Sequence, residues 1–444
     1  MSRILPDAVI GGTELPQDAD VVVIGGGIVG VSSAYYLAQR GLRVVLCEKG
    51  LIGAEQSGRN WGWVRQMGRD EAEIPLALQS LKLWRGLNGA LGADTGYRQT
   101  GITYLCRTEA EMQDYRNWTE AAKVYQIDTR LVGKSDLPGL LPGISGDFVG
   151  GMHTASDGRA EPIQAAPALA RAALALGAQI FTSCAVRGIE TEAGAVSGVI
   201  TEHGPIRCRQ VVLAGGAWSR LFAGNLGIDL PLLKILGSVA RVSPVEGVSD
   251  MPVGASNFAF RRRLDGGFSV AMRNANAVPI VPDSFRLFPD FSAKLVTSWK
   301  ELRLRVGRRF LEEWQMPRSW GPDDITPFER IRVLDPDPNA SFLDRGLQHL
   351  AKAFPAFGAA RITRSWGGLI DTTPDAVPVI GPVERIPGFF LAVGFSGHGF
   401  GIGPGAGQMI AQMIAGDTPL VDPKPFAADR LARVRRTVTL PSAA

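Results

Sequence analysis

A glycine-rich turn between an apolar run and a helix-like segment constrains the fold of this chain more than any other feature. The run Val21–Ile24 leads into GGGIVG at 25–30, and a helix-like segment continues to residue 40. Gly25 permits a tight turn, Gly27 lets the backbone approach a phosphate, and Gly30 lets the helix approach the strand. The sequence therefore predicts a strand–turn–helix unit whose helix N-terminus faces a dinucleotide pyrophosphate.

An acidic residue completes this unit. Residues 42–47 predict a second strand, and Glu48 follows it, 18 residues after Gly30. A carboxylate at this place can accept hydrogen bonds from a ribose, and it disfavours a cofactor with a 2′-phosphate. A packing turn that binds nothing is the alternative.

A second glycine-rich loop lies near the C-terminus. Residues 389–395 predict a buried strand, and a helix is predicted from about 403 to 415. Backbone amides at such a helix start stabilise negative charge, which suits the pyrimidine end of a reduced flavin. A glycine-rich surface turn is the alternative. The loop residues that carry this prediction are Gly397, His398, Gly399, Phe400 and Gly401.

The length and the distribution of buried-strand patterns predict two domains. The chain has 444 residues, which exceeds one ordinary core. Such patterns occur near both ends, so the expected fold class is α/β, with a discontinuous Rossmann-like dinucleotide-binding domain and a second, sheet-based substrate domain. The predicted ranges are 18–65, 150–225 and 362–430 for the first domain and 66–149 and 226–361 for the second, with a basic helical segment at about 285–316.

Composition excludes several function classes. The net charge of +4 arises from 47 basic and 43 acidic residues and gives no nucleic-acid footprint. No apolar run is long enough for a transmembrane anchor, and the N-terminus lacks a signal-peptide core. A soluble, cytoplasmic protein is therefore expected. The four cysteines are scattered, so no metal is expected. A homodimer is the default expectation from symmetry.

Several long stretches resemble one enzyme superfamily. GGGIVG at 25–30, VVLAGGAWS at 211–219, SWGGLIDTTPDAVPVIG at 365–381 and GFSGHGFGIGPGAG at 394–407 resemble the glycine oxidase and D-amino-acid oxidase superfamily of flavoproteins. The stretches GAEQSGRNWG (53–62), GADTGYRQTG (92–101), CAVRGIET (184–191) and TPFERIRV (326–333) are similar to bacterial L-amino-acid deaminases. The resemblance spans nearly the whole chain and implies a glutathione-reductase-like FAD-binding domain.

The resemblance also implies that FAD is bound without a covalent link. In the superfamily, the segment after the ribose-binding acid passes along the pyrophosphate and ribityl chain to the isoalloxazine. Arg59 is expected to bind phosphate, whereas Trp61 and Trp63 also fit ordinary core positions. The residues assigned to the cofactor are Gly25, Gly27, Ile28, Val29, Gly30, Glu48, Lys49, Ser57, Arg59, Asn60, Trp61, Gly62, Val186, Gly215, Trp218, Gly397, His398, Gly399, Phe400 and Gly401.

The substrate side departs from the superfamily pattern at one position. Many of its amino-acid oxidases carry a carboxylate-binding arginine after the WxGL stretch, where this chain has Ile370. An α-amino acid still requires a cation, best a bidentate arginine. Resemblance to the deaminases assigns Arg273, with the run at 261–263 as second choice. The other pocket candidates are Trp63, Gln66, Trp366 and His398, the last of which also fits a structural histidine.

The expected function is FAD-dependent oxidative deamination of free L-amino acids, with dioxygen as the expected final acceptor. Dioxygen is favoured over a membrane quinone because no anchor is found, although the basic segment also fits a membrane surface or an acceptor. One alternative is a D-amino-acid or secondary-amine dehydrogenase of the same superfamily. Another is a non-catalytic FAD-binding subunit of a heteromeric oxidase, and a third is a nicotinamide dehydrogenase, which the second glycine loop disfavours.

Overall fold

The structure, a computed structural model, describes residues 4–273, 276–292 and 302–431. The helix Ile28–Ala38 matches its predicted segment to within two residues, and Gly399–Ala415 begins four residues before its predicted start. Gly41 follows the first of them in a left-handed conformation, with φ +76°. The α-helices are Ile28–Ala38, Gln56–Arg59, Ile74–Leu91, Glu109–Ala122, Leu137–Leu140, Pro162–Ala175, Ser219–Asn225, Pro282–Arg286, Arg308–Trp314, Pro327–Arg330, Ala340–Ala353 and Gly399–Ala415.

A six-stranded sheet forms the centre of the half of the fold that contains the first glycine-rich turn. Five of its strands are parallel, and only Val379–Pro382 runs antiparallel to its neighbour. Both faces are covered, so the strands are continuous apolar runs rather than alternating ones. Across the sheet the order is Val379–Pro382, Phe389–Val393, Gln210–Leu213, Val21–Ile24, Val44–Cys47 and Gln179–Phe181.

A larger, mostly antiparallel sheet forms the other half, which confirms the predicted α/β architecture with a sheet-based second part. The strand Ile362–Thr372 pairs with Leu233–Val242, one strand of the ordered path. Within the described residues the path is Leu302–Arg305, Asn276–Pro279, Leu233–Val242, Phe268–Ala271, Ala259–Arg262, Val253–Gly254, Ile102–Cys106, Gly150–Thr154 and Thr129–Gly133.

Two small sheets flank these halves. One contains Val186–Glu192, Ala195–Thr201 and Gly204–Arg207, and the other contains Trp63–Val64, Gly158–Arg159 and Arg98–Gln99. Two segments assigned to the first domain begin with strands of the larger sheet. Gly150–Thr154 pairs with Ile102–Cys106, and Ile362–Thr372 pairs with Leu233–Val242. The division of the chain into domains stays a prediction.

The basic segment predicted as helical at about 285–316 is not one helix. The helix Pro282–Arg286 ends near the beginning of this segment. Further along, Leu302–Arg305 is a strand, and a new helix begins at Arg308. Residues 293–301 lie outside the described residues. The strand pairs in parallel with Asn276–Pro279, and this tertiary pairing overrides the helix-like pattern of charges. Among the described residues, no helix is long and apolar enough to cross a membrane.

Two helices approach each other so closely that their backbones are in contact. A Cβ at Gly407 would lie 2.6 Å from the carbonyl carbon of Ser32, and a Cβ at Gly403 would lie 3.0 Å from the Ile28 side chain. Each helix advances one turn between these two contacts, so Ile28–Ala38 and Gly399–Ala415 run in the same direction. Both N-termini therefore lie at the same end of the central sheet.

We expect Gly407→Ala to destabilise the fold, because the added methyl group overlaps the Ser32 backbone. Overpacking of this kind lowers the free energy of unfolding by about 1–3 kcal/mol. Gly86→Ala is the control, since Gly86 is an exposed helical glycine with nothing within 4 Å of its Cβ position. That substitution should raise stability by about 0.5–1 kcal/mol. Denaturant titrations of both variants measure the difference, and equal midpoints would contradict the prediction.

Candidate functional site

A long cleft runs along the end of the central sheet, between the two glycine-rich loops. Its volume is about 1220 Å³, including its open mouth. It begins at Glu48 and Val186 and reaches Gly397 and Ile370. Of the residues predicted to bind the cofactor, those that line the cleft are Gly25, Gly27, Ile28, Val29, Glu48, Lys49, Ser57, Asn60, Val186, Gly215, Trp218, Gly397, Gly399 and Phe400.

The first glycine turn has the conformation that its sequence requires. Gly25 has φ +107°, and a Cβ there would lie 2.5 Å from the Ala214 carbonyl oxygen. A Cβ at Gly30 would lie 1.9 Å from the Gly25 carbonyl oxygen. Gly30 therefore acts through helix–strand packing and not through contact with the cleft. The backbone N–H of Ile28, at the helix start, donates to the Ser57 hydroxyl at 2.9 Å.

Glu48 is held rigidly beside this turn. One carboxylate oxygen accepts from the Gly26 N–H and the other from the Gly50 N–H, each at 2.7 Å. Burial raises the pKa of Glu48, while Lys49 and these two N–H groups act in the opposite direction. A carboxylate has about four acceptor sites, so two remain for hydroxyl donors in the cleft. Glu48 can therefore bind ribose without losing its backbone partners.

Lys49 and Trp218 close one side of the cleft. The Lys49 ammonium contacts Glu55 at 2.6 Å and lies 4.6 Å from the Trp218 ring centroid. The Trp218 indole N–H donates to the same Glu55 carboxylate at 3.1 Å. Glu55 was not predicted as a site residue, although it lies inside the GAEQSGRNWG stretch. Its role depends on Trp218, which is distant in sequence, so no local pattern identifies it.

Arg59 does not take the phosphate-binding role that was predicted for it. Its side chain is buried outside the cleft, where it donates to the carbonyl oxygens of Ala54 and Gly367 at 2.9 Å and pairs with Asp335. It therefore ties the segment after Glu48 to the strand Ile362–Thr372. The reason is that carbonyl and carboxylate partners from distant parts of the chain capture the guanidinium.

Trp61, Gly62 and Gly401 also lie outside the cleft. Gly62 has φ +76°, and a Cβ there would lie 2.5 Å from the Ala160 carbonyl oxygen, so it permits a close chain approach. The carbonyl oxygen of Trp61 accepts from Arg261 at 2.7 Å. The carbonyl oxygen of Gly401 accepts from Ser80 and Trp84. These residues support the walls of the site and do not face its interior.

Asp371 is a cleft residue that the sequence analysis missed. Its buried carboxylate accepts from the Gly394 N–H at 2.6 Å, and burial raises its pKa to about 6. It adjoins Ile370, which also lines the cleft. Ile370 has an alkyl side chain at the position where the superfamily pattern predicts a carboxylate-binding arginine. An acidic residue near the end of an apolar strand pattern was the signal that could have identified Asp371.

The predicted carboxylate-binding arginine, Arg273, lies against a row of aromatic rings. The Trp63 ring centroid lies 5.5 Å from that of Trp61 and 5.7 Å from that of Tyr104. The guanidinium carbon of Arg273 lies 3.9 Å from the Tyr104 centroid, and that of Arg65 lies 5.5 Å away. We call Trp63, Tyr104, Arg65 and Arg273 the Tyr104 cluster. It combines positive charge with a flat apolar surface.

The remaining substrate-side candidates have different surroundings. Trp366 is buried and donates its indole N–H to the Arg59 carbonyl oxygen at 2.9 Å, which is a packing role. Gln66 is buried against Asp157, whose carboxylate accepts the Gln66 backbone N–H at 2.9 Å. His398 lies outside the cofactor cleft, and its Nδ1 is 2.8 Å from a carboxylate oxygen of Glu73. Glu73 was not among the predicted site residues.

The cleft fits an extended dinucleotide. A helix N-terminus lies at the first glycine loop, which suits a pyrophosphate, and an acid lies beside it, which suits a ribose. A Cβ at Gly216 would meet nothing within 4 Å, so the backbone there is open to a ligand. A second helix N-terminus, at Gly397–Phe400, lies at the far end. In the described part of the chain, no group of three or more His, Cys, Asp or Glu side chains could hold a metal ion.

We expect Glu48→Ala to lower dinucleotide occupancy. The loss of hydrogen bonds to a charged acceptor weakens binding by about tenfold or more. The measurement is the ratio of cofactor absorbance to protein absorbance after dialysis. Glu192→Ala, at an exposed position of the strand Val186–Glu192, is the control and should leave the ratio unchanged. Full retention of cofactor in the Glu48 variant would contradict the ribose-binding role.

Solved structures of known enzymes share this fold over nearly their full length. The L-amino acid deaminase from Proteus myxofaciens is 36% identical with a TM-score of 0.92, and the match covers 97% of this chain and 96% of that chain. The L-proline dehydrogenase from P. horikoshii is 25% identical with a TM-score of 0.77, covering 94% of this chain and 99% of that chain.

A curated mammalian relative is longer than this chain. Mitochondrial sarcosine dehydrogenase of Mus musculus is 27% identical over 92% of this chain, and the chain spans only 41% of that relative's length. Residues 20–413 match the family of FAD dependent oxidoreductases known as DAO. This match confirms the superfamily and the cofactor predicted from the sequence. The chain therefore belongs to the DAO family of FAD dependent oxidoreductases, and its cofactor is FAD.

Proposed function

We propose that this protein oxidatively deaminates free L-amino acids to 2-oxo acids and ammonia. The position of Arg273 in the Tyr104 cluster, 3.9 Å from an aromatic centroid, carries the proposal. A guanidinium is the best side chain for bidentate binding of a carboxylate, and the adjacent rings suit apolar or aromatic side chains. The identity of 36% with the L-amino acid deaminase of Proteus myxofaciens supports the same substrate class.

The residues of the chain bind and orient the reactants in this proposal. FAD, when bound, supplies a two-electron acceptor for the hydride on the substrate's α-carbon. Glu48 and the first helix N-terminus hold its ribose and pyrophosphate, and the Gly397–Phe400 helix start stabilises negative charge at the far end. Ile370 provides no cation at the cleft, so the carboxylate is directed to Arg273. Loss of this hydride and of a proton from the amino group would leave an imino acid, which water converts to the 2-oxo acid and ammonia.

We propose dioxygen as the final electron acceptor, with hydrogen peroxide as product. Dioxygen is small and needs no docking surface, so it can accept electrons from a bound flavin without a protein partner. The test is oxygen uptake with a matching yield of peroxide in the presence of substrate. Slow uptake, together with fast reduction of an added quinone, would instead identify a dehydrogenase.

Oxidation of a secondary amine is the second candidate function. Curated relatives include the beta subunit of sarcosine oxidase from Rhodobacter capsulatus, which is 24% identical over 90% of this chain and 86% of that protein. Sarcosine is an N-methyl amino acid and also needs a carboxylate-binding cation. The two candidates therefore differ in the amine, and a test must include both classes of substrate.

We expect L-phenylalanine and L-leucine to bleach the oxidised flavin band when they are mixed anaerobically with the yellow protein. D-Phenylalanine and sarcosine are the matched comparisons. Bleaching by the L-amino acids alone would support the proposal, because only they combine a primary amine with that handedness. Bleaching by sarcosine alone would establish the second candidate, and bleaching by no amine would favour a non-catalytic FAD-binding subunit.

We expect Arg273→Ala to raise the half-saturating concentration of L-phenylalanine by about tenfold or more, since a charge-assisted carboxylate contact is lost. FAD occupancy should not change. Arg262→Ala is the matched control: the structure buries its neighbours Arg261 and Arg263, and the guanidinium carbon of Arg262 lies 5.7 Å from the Phe268 centroid instead. An unchanged half-saturating concentration in the Arg273 variant would refute its assignment.

A further inference from the structure

A fully buried carboxylate lies behind the second glycine loop. Glu73 has 0% exposure, and its Oε2 is 2.8 Å from Nδ1 of His398. Apart from this contact, neither oxygen has a hydrogen-bond partner among the residues that the structure describes. Burial raises the pKa of Glu73, but His398, Arg69 and Arg65 lower it by more, so the buried carboxylate is held in its charged form. Such an arrangement calls for a role beyond packing.

The carboxylate determines which nitrogen of His398 carries the proton. A neutral imidazole has one N–H donor and one acceptor nitrogen, and a neighbouring carboxylate places the N–H on the nitrogen that faces it. Because Nδ1 faces Glu73, the acceptor lone pair is on Nε2. Burial, followed by the positive charge of Arg69, lowers the pKa of His398 to about 4 even though Glu73 acts in the opposite direction. Nε2 is therefore an acceptor at neutral pH.

His398 is flanked by residues of the cofactor cleft, and Arg65 of the Tyr104 cluster lies near enough to act on its charge. Gly397 and Gly399 on either side of it line the cleft, and the imidazole retains 22% of its side-chain exposure. The charged groups around it are Glu73, Arg69 and Arg65. Arg65 and Arg273 lie against the same Tyr104 ring. A ligand whose carboxylate binds at this ring can bring a neighbouring amino group toward His398.

We propose that His398 recognises the amino group of the substrate by accepting an N–H hydrogen bond at Nε2. Glu73 is the positioning residue, because it fixes the tautomer and stabilises the positive charge of an ammonium donor. The pair would select ligands that carry an N–H group beside a carboxylate. The inference rests on the proposed function for the identity of the substrate as an amino acid.

The test compares two unreactive ligands on the FAD-loaded protein, by titration of the flavin absorbance. Anthranilate and benzoate differ by one amino group, and neither has a hydrogen on the carbon that bears the carboxylate. The wild-type protein should bind anthranilate about fivefold more tightly, the value of one net hydrogen bond. His398→Phe should abolish this preference and leave benzoate binding within about twofold. Equal wild-type affinities, binding of neither ligand, or an unchanged preference in the variant would overturn the proposal.

Further variants separate recognition from a merely structural role. His398→Gln keeps a hydrogen-bonding amide and should retain part of the preference, and Glu73→Gln should reduce it because the fixed charge is lost. His203→Phe, at an exposed histidine, is the control and should behave as wild type. A loss of preference in His203→Phe, or full preference in both other variants, would contradict the proposal.

The pH dependence of the preference for anthranilate over benzoate is an independent test. His398 stays neutral as the pH falls until about 4, so the preference should be constant between about pH 5.5 and 8.5. A fall centred near the ordinary histidine pKa of about 6.5 would overturn the assignment. The ligand titrations do not require turnover. If no L-amino acid reduces the flavin, the proposed function fails, whereas the amino-group preference can still be measured.

Discussion

The backbone contact between helices Ile28–Ala38 and Gly399–Ala415 is the constraint on which the site depends. Because Gly407 and Gly403 have no side chains, the two helices approach closely and run in the same direction. Their N-termini, with a glycine-rich loop before each, then open into one cleft. A single packing arrangement thus supplies both a pyrophosphate-binding end and an electropositive far end. Neither loop alone could hold an extended dinucleotide.

Buried arginines connect distant parts of the chain to this frame. Arg59 joins the segment after Glu48 to Gly367 and Asp335, and Arg261 pairs with Glu161 at 2.7 Å while it binds the Trp61 carbonyl. Removing one partner of such a pair leaves an uncompensated buried charge. These contacts therefore specify where the Trp61–Gly62 turn lies relative to the larger sheet.

Features encoded by contiguous residues were predictable, whereas features that join distant residues were not. The strand–turn–helix–strand unit around GGGIVG and the second glycine loop follow from local conformational requirements of glycine and from apolar runs. Arg59 was assigned to phosphate because its distant partners are invisible in sequence. Glu73 has no local pattern that distinguishes it from a surface acid. The tertiary pairing of Leu302–Arg305 likewise overrode a helix-like run of charges.

The burial of Glu73 has a consequence for the evolution of this protein. Its carboxylate has no exposed surface and keeps its charge through His398, Arg69 and Arg65, and replacing such a buried charged group together with its partners by apolar residues is often neutral or stabilising. Selection for heat resistance alone would therefore replace Glu73 early. The resulting proteins would be more stable, but under the proposed role of Glu73 they would be less selective among amines. Retention of an acid at this position across temperature-adapted descendants would record a trade-off between durability and ligand choice.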